Sequence, residues 1–326
     1  KLLTGGARAA LRRHQTLHAA LEWSHGLLND EERVVFRRLG VFAGGFTMEL
    51  AQAVAGDEQL DEWSVLDHMS ALVDKSLVVA EPGEPPRYRL LESARAFALE
   101  QLAEAETTNT LRQHAKAMLN FMQRVDGANL DGELRTDQYA ALVVPELDNL
   151  RAAHAWSSSE EGDAQVAIAL AAHSGSLIDY AVECADWLLP HRQQVEEGAV
   201  DGSIDEAVVA RYWRAIAAAN MMGRAPHQLQ VEGAERARAM YKALGQPRRV
   251  FSSLMRLVSF RLFEGDQMSA QTALAEAHSL IQPDWPAEFH IQSLRRQSST
   301  ARAAGKPVEA LAFQRQEVQL SVATGD

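Results

Sequence analysis

Along most of the chain, apolar residues recur three and four positions apart, the period of a helix with one buried face. Leu17, Leu21, Ser24 and Leu28 share such a face, and Thr16 is a suitable N-cap for a helix through Leu28. Asn29 with Glu32 three residues later reads as a capping box opening a helix over 30–42, striped by Val34, Val35, Leu39 and Phe42. Gly44-Gly45 ends it, and Thr47 caps a short helix over 48–55. Ser64 with Asp67 opens a further helix over 64–75, whose core face is Val65, Leu66, Met69, Leu72 and Val73. The period then changes. Residues 76–80 and 88–91 are short and strand-like, and Glu81-Pro-Gly-Glu-Pro-Pro86 between them is turn chemistry. A helical pattern resumes over 92–104. Strands this short need helices beneath them. The order predicts a winged-helix domain over 16–104 with a small β-hairpin, preceded by a linker over 1–15 that carries Arg8, Arg12 and Arg13 without apolar period.

Two longer helical patterns follow, broken near 127–132 and closed by Ser157-Ser-Ser-Glu-Glu-Gly162; Leu147, Leu150, His154 and Ala155 recur in the second. They predict a helical connector over 105–162, packed against the wing. From 163 the chain is repetitive, with candidate helix pairs at 163–178 with 181–197, 205–222 with 227–244, 247–264 with 267–281, and 287–304 with 307–324. Gly223, Gly265 and Gly305 each close a first helix, 42 and 40 residues apart; Ala270 and Ala310 sit five residues beyond, a pattern that Gln228 breaks. A glycine-punctuated two-helix unit predicts an α-solenoid of tetratricopeptide-like helix pairs over 163–326. The predicted fold class is mostly α.

Composition narrows the chemistry. The 326 residues carry a net charge of −12, which repels phosphate backbones unless a local basic patch intervenes. One cysteine, Cys184, excludes an internal disulfide framework, and no apolar run approaches the roughly 20 residues that span a bilayer. The expected location is the cytoplasm. Lys1 in place of Met, followed by Leu2-Leu-Thr-Gly-Gly6, predicts a piece of a longer chain. No Gly-x-x-x-x-Gly-Lys-Ser/Thr phosphate loop, Gly-x-Ser-x-Gly elbow, Cys-x-x-Cys pair or His-Glu-x-x-His helix occurs, so no catalytic residues are assigned and no enzyme is expected in this chain. His14, His18, Glu22 and His25 resemble a metal-binding stripe, but a cap at Thr16 leaves His14 outside the helix, and the histidines are expected to pack or face solvent. Glu31-Glu32 and Glu160-Glu161 read as solvated charges.

Two candidate surfaces remain. The helix in the recognition position, Glu62-Trp-Ser-Val-Leu-Asp-His-Met-Ser-Ala-Leu-Val-Asp-Lys75, sets Glu62, Asp67 and Asp74 against Lys75, the wrong sign for DNA. The first helices of the repeat pairs carry Arg211, Trp213, Arg214, Arg256, Phe260, Arg261, Arg295, Arg296 and Arg302 among Tyr212, Met221, Met222 and Phe263. These residues are candidates for a groove that takes an acidic peptide or anionic small ligand, but the favoured expectation is that the rings pack between helices while the arginines face solvent.

Several runs also resemble a known family: Gln15-Thr-Leu-His-Ala-Ala-Leu-Glu-Trp-Ser-His-Gly-Leu-Leu28, Glu31-Glu-Arg-Val-Val-Phe-Arg-Arg-Leu-Gly-Val-Phe-Ala-Gly-Gly-Phe46, Leu72-Val-Asp-Lys-Ser-Leu77, Tyr88-Arg-Leu-Leu-Glu-Ser93 and Glu146-Leu-Asp-Asn-Leu-Arg151. They resemble the bacterial STAND-type regulatory ATPases over residues 1–156. The resemblance implies an effector and a nucleotide-binding core upstream, ATP or ADP as cofactor of the whole protein and none in this piece, and a winged helix that is a lid on the nucleotide site and a joint to the repeats, not a DNA reader. The implied partners are the upstream ATPase domain and a protein, peptide or small-molecule ligand on the repeats, with neither DNA nor membrane. Related switch ATPases place Met-His-Asp after the wing; Leu90, Leu91 and Glu92 stand here, and Leu91 cannot make the histidine's nucleotide contact. The alternative functions are an interaction scaffold without switching and a winged-helix DNA binder.

Overall fold

The computed structural model describes residues 18–219 and 225–324. Thr16, Leu17, His14, the 1–15 linker, Met221, Met222 and Gly223 lie outside the described residues. The chain divides into two compact units, residues 1–120 with 145–167, and residues 121–144 with 168–326.

The first unit is built on a winged helix. Helix α1 covers 18–26, α2 Asp30–Leu39, α3 Met48–Ala55, α4 Glu62–Asp74 and α5 Glu92–Gln101; strands β1 Phe46–Thr47, β2 Val79–Glu81 and β3 Arg87–Arg89 complete it. The capping box at α2 is complete. Asn29 accepts from the Glu32 backbone N–H at 2.8 Å, and the Glu32 carboxylate accepts from the Asn29 N–H at 3.0 Å. The regular helix stops at Leu39, three residues short of the expected end, because the chain tightens into i to i+3 bonds through Phe42. Helix α4 starts at Glu62, earlier than expected, because Asp61 caps it, its carboxylate accepting from Ser64 N–H at 2.8 Å.

The predicted hairpin is a three-stranded antiparallel sheet of order β1-β3-β2, with Tyr88 between Phe46 and Ala80. Strand β2 begins at Val79 instead of Ser76. Ser76 adopts a left-handed φ of 59° and Leu77 N–H donates to the Leu72 carbonyl, so 76–78 finish the helix before the strand starts. Val35, Phe36, Leu39, Phe46, Val54, Val65, Met69 and Leu72 form the core under this sheet, with Phe42 and Phe46 stacked at 4.3 Å.

Helices α6 (Glu104–Leu130), α7 (Thr136–Val143) and α8 (Leu147–Ser157) occupy the connector region, and α6 ends at the predicted break, where Gly132 takes a φ of 72°. Then come α9 (Ala164–His173), α10 (Arg192–Asp201), α11 (Glu206–Ala218), α12 (His227–Ala243), α13 (Pro247–Phe263), α14 (Gln267–Leu280), α15 (Ala287–Ala303) and α16 (Pro307–Thr324). In the second unit α11 packs on α12, α13 on α14 and α15 on α16, and α13 also packs on α15. Gly265 and Gly305 follow α13 and α15 with φ of 79° and 72°, the left-handed turn that only glycine adopts without strain.

The first predicted pair is not a helix pair. Between α9 and α10 the chain makes short 3-10 turns at Ser174–Ser176, Val182–Ala185 and Leu189–His191. Gly175 lies so close to α11 that a Cβ there would stand 2.8 Å from the Ala215 backbone, and Pro190 begins another turn. Leu177, Ile178, Cys184 and Leu188 are nonetheless buried, so the helix-like period marked a core segment without a helix.

Candidate functional site

In the winged helix, α4 occupies the recognition position, and the basic side chains around it are already engaged. The domain stretch 28–103 holds seven basic residues, Arg33, Arg37, Arg38, Lys75, Arg87, Arg89 and Arg95, against fourteen acidic ones. Lys75 Nζ lies 2.6 Å from Glu32, and Arg37 and Arg38 both hold Glu106 at 2.7 Å. Arg33 faces Asp30, Arg89 faces Glu81, and Arg95 donates to the Phe42 carbonyl at 2.6 Å. Arg87 pairs with Glu146. Trp63, in the first turn of α4, is 75% exposed. His18 and His25 stack edge-on against Phe97 at 5.3 and 5.4 Å, the packing role expected of them. Leu91 precedes α5 and makes no side-chain cap, its side chain about half exposed.

Sequence reasoning missed the joint behind the wing. The Asn149 side-chain oxygen accepts from the Ala43 and Gly44 N–H groups at 3.0 and 3.1 Å, and its amide donates to the Gly45 carbonyl and the Glu146 carboxylate at 2.8 Å each. Asn149 and Glu146 are buried. Both lie in the Glu146–Arg151 run, which therefore ties α8 to the turn before β1 and, through Arg87, to β3.

In the second unit a cavity of about 350 Å³ opens on the first helices of the pairs. It is lined by Arg214 of α11, Arg256 of α13 and Arg295 and Arg296 of α15, together with Arg135, Asp179 and Glu288. Of the groove candidates, Arg214, Arg256, Arg295 and Arg296 thus meet. Arg214, Arg256 and Arg296 stand 42 and 40 residues apart, nine before Gly223, Gly265 and Gly305, so they hold one repeat-equivalent position. That shared register is the signal that separates them from their neighbours.

Arg211, Trp213, Phe260 and Arg261 are corrected by their surroundings. Arg211, 3% exposed, lies 3.1 Å from the Asp126 carboxylate, which also accepts from Ser176 at 2.9 Å and meets His173 at 3.3 Å. Burial alone would raise Asp126, but Arg211, then His173, hold its carboxyl well below the usual range. Trp213 is buried, with the Arg236 guanidinium 4.2 Å from its ring centre. Phe260 packs under His227 at 5.6 Å, and Arg261 is held by Glu235 and Glu264 at 2.6 and 2.9 Å. Among the described residues, Arg214, Arg256 and Arg296 make no ion pair or hydrogen bond, and Arg214 Nε and Nη1 are buried without a partner. Burial, and after it the charge of Arg214, pushes Arg256 down to about 9, which still leaves it cationic at neutral pH. Arg295 pairs with Glu317 at 2.9 Å and Arg135 with Asp137.

Residues 28–103 match the family model "Winged helix-turn-helix domain". A "Putative HTH-type transcriptional regulator" of Mycobacterium tuberculosis is 42% identical over 172 residues, covering 52% of this chain and 19% of the relative. Its Mycobacterium bovis counterpart matches equally. An "Uncharacterized protein" of M. tuberculosis is 43% identical over 122 residues, covering 36% of this chain and 31% of that protein. The chain spans about a fifth of the length of the regulators it matches. No solved structure matches it. Residues 28–103 are a winged helix-turn-helix domain, and the chain is homologous to proteins named as transcriptional regulators.

Proposed function

We propose that this chain is a non-catalytic regulatory segment of a transcriptional regulator. Its winged helix docks on protein, and its repeat helices sense a ligand or partner and relay that event to a STAND-type nucleotide-binding core elsewhere in the whole protein. One observation carries this reading: every basic side chain of 28–103 is engaged with a carboxylate or a carbonyl, and acidic residues outnumber basic ones two to one. A surface without spare cations lacks the counterion-release term that dominates binding to DNA. The exposed Trp63 on α4 suits a protein face instead. In this reading ATP or ADP belongs to the missing core, the whole acts in the cytoplasm, and Leu91 makes no nucleotide contact. The rival reading is direct DNA binding, which the winged helix-turn-helix match and the names of the relatives favour.

Relay requires that the sensed ligand prefer one arrangement of the regulator over another. The test is nucleotide exchange in the full-length protein, measured with and without residues 163–326. Deletion is expected to change the exchange rate and to abolish any response to ligand; an unchanged rate overturns the relay.

A further inference from the structure

Arg214, Arg256 and Arg296 project from successive first helices into one cavity, and none has a counter-charge at ion-pair distance among the described residues. Neighbouring arginines show that this is not for want of carboxylates. Arg211, Arg238, Arg249 and Arg261 in the same unit each hold an Asp or Glu. Arg214 is 7% exposed, and its Nε and Nη1 are buried without a partner among the described residues. A buried cation is normally paired, because transfer out of water is costly without compensation. Three unpaired guanidiniums at one repeat position, around an open space of about 350 Å³, leave a positive potential aimed inward. Asp179 and Glu288 on the lining set two carboxylates against five arginines, of which Arg295 and Arg135 already have partners.

We propose that this cavity binds a compact organic polyanion, a phosphate ester or a di- or tricarboxylate bearing at least two negative charges. Guanidinium forks match both oxyanion types in a bidentate manner. Tyr139, Tyr180 and Phe289 offer ring surface to the carbon part, and Gln292 and Thr136 offer polar groups. The volume admits a small molecule of metabolite size and excludes a peptide helix. This deepens the sensor reading by giving the ligand a chemical class.

The experiment is titration calorimetry and thermal melting of the full chain with inorganic pyrophosphate, glucose 6-phosphate and citrate. Neutral glucose and sodium chloride at matched ionic strength are the controls. Saturable binding of at least one anion, with a raised melting temperature and no response to glucose, is expected; the sugar phosphate and citrate arms distinguish phosphate from carboxylate recognition. Arg256→Met and Arg296→Gln are each expected to weaken binding roughly tenfold or more, the loss of one charge-assisted contact. Neither is expected to lower the melting temperature of the ligand-free chain, since each removes a charge that has no partner. Absence of saturable binding beyond the chloride control overturns the proposal. So does a variant that lowers ligand-free stability while keeping full affinity, because the arginine is then structural. Binding is read without any nucleotide core: anion binding with no change in nucleotide exchange sinks the relay and leaves the cavity standing, and the reverse result sinks the cavity alone.

Discussion

Asp126 is fully buried and holds Arg211, His173 and Ser176 together, so its charge is structural. Removing one partner from such a pair strands the other, and Asp126→Asn is expected to cost about 3–5 kcal/mol in urea unfolding of the chain. Because the folded-state pKa is depressed, the carboxylate's contribution is present above the ordinary carboxylate range and is lost as pH falls through the folded value. His114 works at higher pH. Burial, then the Arg95 charge, lowers its pKa to about 4, and its ring meets Phe42 edge-on at 5.1 Å. The unfolded chain takes up the histidine proton near pH 6.5 while the folded chain does not until about 4. Stability from neutral His114 is therefore complete above 6.5 and drains away between 6.5 and 4, by about 3 kcal/mol. His114→Leu is expected to flatten that segment of a stability-versus-pH curve; an unchanged slope would rule the residue out as its source.

At the level of elements, the junction of α8 with the turn before β1 depends on one side chain. Asn149 satisfies two N–H groups and a carbonyl in 43–45 while steadying Glu146, the partner of Arg87 on β3. Asn149→Ala leaves these groups without their partner, and each orphaned buried polar group costs about 1–3 kcal/mol. A loss of about 3 kcal/mol is expected for the first unit, read as faster amide exchange in residues 43–47. Exchange at the wild-type rate would mean that water takes over the bonds. In the second unit each first helix packs on its second, and left-handed glycines follow α13 and α15.

At the scale of the whole molecule, charge distribution separates the two readings of function. A net charge of −12 accompanies a winged helix whose cations are all engaged and a repeat unit whose spare cations point into a cavity. Fluorescence anisotropy of labelled duplex DNA with the chain is expected to show no binding at about 50 mM salt, where non-specific electrostatic binding is favoured. Affinity that falls linearly in log–log form with added salt would restore the DNA reading and displace the protein-docking one. Among the described residues no helix is long and apolar enough to cross a membrane.

The sequence by itself determined the features whose energetics are local. The Asn29–Glu32 box, the stops at Gly265 and Gly305, and the order of helices and strands in the wing depend on residues within a turn or two, so short windows reveal them. Strand β1 escaped because two residues carry no period, and the 174–191 turns escaped because burial there imitates a helix stripe. Tertiary structure alone decided which polar groups meet. Asn149 reaches residues about a hundred positions away, and Arg211 finds Asp126 while Arg214, three residues on, finds an open cavity. Desolvation and pairing are set by distance through space, which a linear pattern of types does not encode. The 42- and 40-residue register of Arg214, Arg256 and Arg296 was in the sequence all along, but only the stacking of first helices gave that register a common destination.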